Sequence, residues 1–232
     1  MNSKNKNSNP FVREDIHAKE ILTHLERINR EFYDGFDFLS KYPKSITVFG
    51  SSLASRDSEH YKKAYDLAAC VARDLKYAVL TGGGPGIMEA ANKGAYDNGG
   101  ISLGLNVTLP HEHSVNPYVT HSMKFTYFFS RKTMLSFAAE AYVYFPGGFG
   151  TFDELFSVLT LIQTGKIPHV PVILFDSGFW NPVKAMIEKA MLDGYHTIEE
   201  RDLKLFHITD SVEEAVSLIQ KAPVSEWWRN IN

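Results

Sequence analysis

Short apolar runs alternate with apolar-periodic stretches along almost the whole chain. Ile16, Ile21, Leu25, Ile28 and Phe32 recur at helical spacing with charges between them, which predicts a helix over 13–39. The run 45–49 that follows is short and apolar and reads as a buried strand. The same reasoning gives helix 59–75, strand 77–80, helix 87–98, strand 101–106, a short strand near 124–125 and helix 129–140. Strand 141–145, helix 151–164, strand 171–175, helix 181–193, a short strand 205–208 and helix 211–222 complete the order. Strand and helix take turns throughout, the pattern of a parallel sheet with helices on both faces. The expected fold is therefore α/β: one doubly wound, Rossmann-like domain over 13–232, with an extra N-terminal helix. Residues 1–12, polar and without an apolar stretch, are expected to be a disordered tail and not a signal peptide.

In such sheets ligands sit outside the carboxyl ends of the strands, and the glycine-rich turns all fall there. Gly50-Ser51-Ser52 leaves the first strand and Thr81-Gly82-Gly83-Gly84-Pro85-Gly86 the second. Pro146-Gly147-Gly148-Phe149-Gly150-Thr151-Phe152-Asp153-Glu154 leaves strand 141–145 and enters a helix. Its three glycines free the backbone, so that N–H groups converge on one point and make an anion site without a lysine. The two carboxylates that follow suggest chemistry beside a bound phosphate.

Composition narrows the partners. A net charge of -3 gives no electrostatic footprint for nucleic acid or an anionic membrane. No window approaches the roughly 18 continuous apolar residues of a membrane span. The lone Cys70 cannot form an internal disulfide, which fits a reducing cytoplasm, and its apolar neighbours read it as a structural thiol. A cytoplasmic protein acting on a small molecule is the expectation.

Each motif has a plainer reading. The turn of Gly82, Gly83, Gly84 and Gly86 could be merely tight, but four glycines exceed what a turn needs. Its G-x-G-x-G spacing is not the dinucleotide fingerprint, and the next strand ends at Asn106 and Val107 without the acid that would hold a ribose. No Gly-Lys-Ser/Thr follows either loop, so a Walker A site is excluded. Arg131 and Lys132 sit near a helix start, where two cations oppose the dipole; they read as an anion-holding pair or as a solvated surface pair. Thr151-x-x-Glu154 fits a capping box, so spacing leaves Glu154 open between helix cap and catalyst. His111-Glu112-His113 has metal spacing but no third ligand, and no metal is expected. Trp227 and Trp228 read as a packing or subunit contact.

Taken together, GGGPGIMEAANKGA (82–95), the Arg131-Lys132 pair and the PGGFGTFDE motif resemble the LOG family. These are phosphoribohydrolases of cytokinin riboside 5′-monophosphates and other nucleoside 5′-monophosphates, many of them once labelled putative lysine decarboxylases. The resemblance runs over 45–219 and meets every fixed position of PGGxGTxxE. It implies hydrolysis of an N-glycosidic bond to free base and ribose 5-phosphate, with Arg131 and Glu154 as the catalytic pair. It also implies that Gly147, Gly148, Gly150 and Thr151 hold the phosphate and that Thr160 faces the nucleotide. Gly50, Ser51, Ser52, Gly82, Gly83, Gly84, Lys132 and Asp153 complete the expected substrate site. No cofactor is implied, and family members are at least dimers with active sites near the interface. The GPGIMEAANKGA form resembles longer bacterial members, for which AMP is as plausible a substrate as a cytokinin nucleotide. A lysine decarboxylase would need a Schiff-base lysine and a partner for the pyridinium nitrogen, and neither is found. A non-catalytic nucleotide carrier is the alternative of another class.

Overall fold

A computed structural model describes residues 18–108, 115–137 and 139–222. The strands are β1 (Ser45–Phe49), β2 (Ala78–Thr81), β3 (Ser102–Val107), β4 (His121–Phe125), β5 (Ala141–Tyr144), β6 (Val172–Phe175) and β7 (His207–Thr209). They form one sheet in the order β4-β3-β2-β1-β5-β6-β7, and every neighbouring pair is parallel. The central strands are buried on both faces, as their unbroken apolar runs require. Strand order reverses between β1 and β5, which puts the switch point of the doubly wound fold beside Gly50 and Pro146.

The helices are α1 (Ala18–Ser40), α2 (Glu59–Cys70), α3 (Ile87–Asp97), α4 (Phe128–Phe137), α5 (Phe149–Gln163), α6 (Ser177–Met186) and α7 (Val212–Lys221). Wider π-type turns extend α2 through Val71–Leu75 and α6 through Ile187–Gly194. One buried cluster lies between the sheet and α2, α3 and α7, around Leu67, Ile87 and Ala215. The other lies against α1, α4, α5 and α6, around Leu39, Leu135, Val158 and Trp180. The expected α/β, doubly wound architecture with its N-terminal helix is what the chain adopts.

Several boundaries differ from the sequence reading, each for a physical reason. Helix α5 begins two residues before Thr151, inside the glycine motif, with Gly148 as its N-cap. Helix α6 begins four residues before Asn181, because Asp176 accepts the Phe179 N–H at 3.0 Å and caps it; Pro182 therefore lies inside the helix. Helix α4 stops at Phe137, and Glu140 leads into β5, its N–H donating to the Ser45 carbonyl at 2.8 Å. Strand β4 starts at His121, earlier than expected; it is an edge strand whose His121, Ser122 and Lys124 are exposed, so its apolar signal is confined to Met123 and Phe125. Glu200–Lys204 forms a 3₁₀ turn, and β7 starts only at His207.

The N-terminal helix has a definite task. Buried Glu31 reaches from α1 and accepts the N–H groups of Thr126, at 2.6 Å, and Tyr127, at 3.3 Å, immediately before α4. A carboxylate there satisfies amides that precede a helix and favours its dipole. No helix among the described residues is long and apolar enough to cross a membrane. The tail 1–12, residues 13–17 of the helix expected over 13–39, His111-Glu112-His113 and Trp227-Trp228 lie outside the described residues. Cys70 is half-buried at the end of α2, its Sγ 3.6 Å from an Arg73 Nη2 that donates to it.

Candidate active site

The exits of β1, β2 and β5 are tied together at one residue. The Ser51 N–H donates to the Pro146 carbonyl at 3.0 Å, and its carbonyl accepts from the Ile87 N–H at 3.0 Å. Its hydroxyl accepts from the Leu53 N–H at 3.1 Å. This crossing needs Gly86, whose φ of +69° disfavours side chains and whose added Cβ would lie 2.3 Å from the Ser51 carbonyl oxygen. Gly147 is equally confined, since a Cβ there would meet the Thr151 hydroxyl at 2.1 Å. Three glycine-containing turns thus become one floor at the carboxyl edge of the sheet.

Above that floor lies a cavity of about 510 Å³, whose wall includes Gly50, Ser51, Ser52, Gly82, Gly84, Arg131, Gly148, Gly150, Thr151 and Glu154. The N-cap residue of α5 is Gly148, with no side chain capping the helix, so the first-turn amides of a buried-sided helix face this space. Thr151 sits in that first turn and is not the cap. The capping box read from Thr151-x-x-Glu154 is therefore absent, because the helix starts inside the glycine motif instead of after it.

Glu154 is 4% exposed, and neither carboxylate oxygen has a hydrogen-bond partner. Burial, the dominant cause, pushes its carboxyl up to about 7; Arg131 and Lys132 pull it down, and Asp153 pushes it up. The Ser136 hydroxyl favours the ionised form slightly without reaching hydrogen-bond geometry, and it too has no partner. The backbone is better fixed: the Tyr144 hydroxyl donates to the Glu154 carbonyl at 3.3 Å, and the Tyr144 ring stacks on Phe49 at 4.8 Å.

Arg131 projects from α4 with its guanidinium carbon 4.9 Å from the centre of the Phe128 ring. Its Nε is buried and unpartnered. Burial lowers its pKa and the Glu154 charge raises it, so the two groups are felt across the cavity without a hydrogen bond between them. The adjacent helices are joined instead by Lys132 and Asp153, 2.7 Å apart. A half-buried arginine whose Nε lacks a partner and a buried carboxylate without one, on adjacent helices, form a site whose polar atoms are not all satisfied within the protein.

Other expected site residues lie elsewhere. Lys132 and Asp153 pair with each other and do not line the cavity. Gly83 is behind the wall, its N–H donating to Thr81 Oγ1 at 2.8 Å and its carbonyl accepting from Asn116. Gly147 borders a neighbouring hollow that also contains Ser58 and His60. Thr160 is exposed, its hydroxyl donating to the Phe156 carbonyl at 2.7 Å. Conversely, Leu53, Met88, Phe128 and Leu135 line the cavity without having been singled out, and Asn106 and Val107, read only as a strand end lacking an acid, line it too. Their signal was positional: each stands within a few residues of a strand exit or of Arg131.

Among the described residues no group of three or more His, Cys, Asp or Glu side chains could hold a metal. None of the described residues lining the cavity is a lysine. Lys132, next to Arg131, is engaged by Asp153. The donor set therefore does not fit a Schiff-base cofactor.

Fold and cavity define a doubly wound α/β protein with a ligand cleft at its topological switch point. The chain belongs to the family described as "possible lysine decarboxylase", whose profile matches residues 88–219. It is 27% identical over 188 residues to a cytokinin riboside 5′-monophosphate phosphoribohydrolase of Rhodococcoides fascians, covering 77% of this chain and 90% of that protein. It is 30% identical over 159 residues to a probable cytokinin riboside 5′-monophosphate phosphoribohydrolase of Oryza sativa subsp. japonica, covering 67% of this chain and 74% of the relative. In fold it is similar to the molybdenum cofactor binding protein of Rippkaea orientalis, with a TM-score of 0.57, 22% identity and coverage of 76% and 94%.

Proposed function

We propose that the protein is a nucleoside 5′-monophosphate phosphoribohydrolase, which hydrolyses the N-glycosidic bond of AMP or a cytokinin riboside 5′-monophosphate. The observation that carries this reading is Glu154: buried in the cavity wall, unpartnered, and facing Arg131 across the space. A protein that only holds a phosphate has little use for a buried carboxylate beside it. The relatives' names supply the substrate class.

In this reading the 5′-phosphate sits on the first-turn amides of α5, at Gly148, Gly150 and Thr151. Cleavage of the C1′–N bond leaves its electron pair on the base and positive charge on the sugar. Ionised Glu154 stabilises that charge and takes a proton from the water whose oxygen bonds to C1′, while the base leaves and takes up a proton. Arg131 anchors the nucleotide and balances the Glu154 charge. Phe128, Phe129, Phe149 and Phe156, all exposed on α4 and α5, support a homo-oligomer that covers this face, at least a dimer.

The test is release of adenine from AMP. Glu154→Gln should lower kcat at least a hundredfold, and Arg131→Ala should raise KM at least tenfold. The rival reading, a non-catalytic carrier, draws on the fold shared with the molybdenum cofactor binding protein. AMP that binds to the unmodified protein but is never cleaved would decide for the carrier.

A further inference from the structure

Three asparagines gather around the glycine-rich turn after β2, and two of them are saturated. Asn92 donates to the Ser102 hydroxyl at 2.8 Å and the Leu103 carbonyl at 3.2 Å, and its Oδ1 accepts from Thr81 and Asn116. Asn116 donates to the Gly84 carbonyl at 3.0 Å and accepts the Tyr118 N–H at 3.2 Å. These two hold the turn in place. Asn106, at the end of β3, differs: it lines the cavity, while its Oδ1 is shielded from that space against Gly83 and has no partner. A buried carboxamide oxygen left unpaired weakens the fold, so its retention calls for a cause outside the resting fold.

The backbone makes room for this side chain. A Cβ at Gly83 would lie 2.5 Å from Asn106 Oδ1, and Gly83 adopts a φ of +71°. Strand alternation sends Leu103 and Leu105 into the core below and leaves Asn106 on the opposite side of the strand. The cavity crosses the ends of β5, β1, β2 and β3 in that order. Three strand spacings separate its two ends by about 14 Å, room for phosphate, ribose and base in a row. The phosphate-binding amides of α5 stand at the β5 end and Asn106 at the β3 end, with apolar Met88, Val107 and Phe128 also in the wall. The Arg131 guanidinium stands beside Phe128 and Gly82, and the carboxamide of Asn106 adds a paired donor and acceptor among these apolar side chains, which suits a flat heterocycle with a donor and an acceptor side by side.

We propose that Asn106 determines base specificity: its carboxamide turns away from Gly83 on binding and pairs with the amino-bearing edge of a 6-aminopurine. The proposal rests on the cavity being a nucleoside monophosphate site. An asparagine matches such an edge with two hydrogen bonds, one given and one accepted.

The test compares Asn106→Leu with the parent protein, both carrying Glu154→Gln so that AMP is not consumed. Binding of AMP, purine riboside 5′-monophosphate and ribose 5-phosphate is measured by calorimetry. The parent should bind AMP about tenfold or more tightly than purine riboside 5′-monophosphate, which lacks the 6-amino group. Asn106→Leu should remove that preference and leave ribose 5-phosphate within about twofold. Equal loss for AMP and ribose 5-phosphate, unchanged AMP binding, or a parent indifferent to the amino group would overturn the proposal. The parent's own preference reads it even where the variant fails to fold. Because binding is measured apart from turnover, a protein that holds AMP yet never releases adenine would sink the hydrolase reading alone.

Discussion

A carboxyl group that accepts no hydrogen bond and is shielded from water opposes folding whenever it is ionised. Glu154 is such a group, and its pKa of about 7 stands above the value of about 4.3 expected in the unfolded chain. Between those values the folded protein holds a proton that the unfolded chain has released, so stability falls as pH rises through the window. The full loss is about 4 kcal/mol, complete above pH 7 and absent below pH 4. Glu154→Gln should therefore melt at a higher temperature than the parent at pH 8 and at the same temperature at pH 4. Thermal melts at the two pH values check this, and equal melting at pH 8 would mean that the carboxylate has a stabilising partner. If ionised Glu154 performs the chemistry, kcat/KM for AMP should rise with pH with a midpoint near 7. The residue is then a case of stability given up at a functional position.

Among the elements, α4 and α5 carry the two key side chains, and each is held from outside the cavity. Glu31 of α1 fixes the residues before α4, so Glu31→Ala should destabilise the fold by about 1–3 kcal/mol. It should also lower activity more than a surface substitution of equal stability cost, because Arg131 loses its support; urea unfolding and AMP turnover measured together test both parts. The Lys132–Asp153 pair is half exposed and should contribute less than about 1 kcal/mol. Lys132→Met is accordingly expected to leave the urea midpoint nearly unchanged. At this scale the sequence was informative about order and alternation, because unbroken apolar runs and 3.6-residue periods survive in the central elements. It misled where one local feature masked another. Thr151 and Glu154 imitate a capping box, but Phe149 and Gly150 before them are already helical, and only backbone geometry shows it. Asn106 was noticed as the place where an acid was missing; that its amide would be orphaned against Gly83 depends on a contact between residues 23 apart.

For the whole molecule, the pieces legible in advance were the parallel sheet and the glycine turns at its carboxyl edge. What was not legible was how those turns lock at Ser51 and which side chains fill the far end of the cavity. Phe149 is 98% exposed at the start of α5, between Gly148 and Gly150 of the cavity wall, and Phe128 and Phe129 are exposed at the start of α4. If a second copy covers them, Phe149→Asp should shift the protein toward monomer in sedimentation velocity and reduce AMP cleavage along with it. A variant that stays oligomeric would remove Phe149 from the interface.

The pairing of β1 with β5 joins segments almost a hundred residues apart in the chain, and the cavity sits on that seam. Contacts of such long sequence separation form late, after the loop between them has closed. During refolding, helical signal from α2 and α3 should therefore return well before any ability to bind a nucleotide. A chain arrested after β4 would have the first two glycine turns and no place for a ligand to rest. Occupancy of the cleft is in this sense a readout of completed folding, and a bound nucleotide would slow unfolding by stapling the seam that closes last.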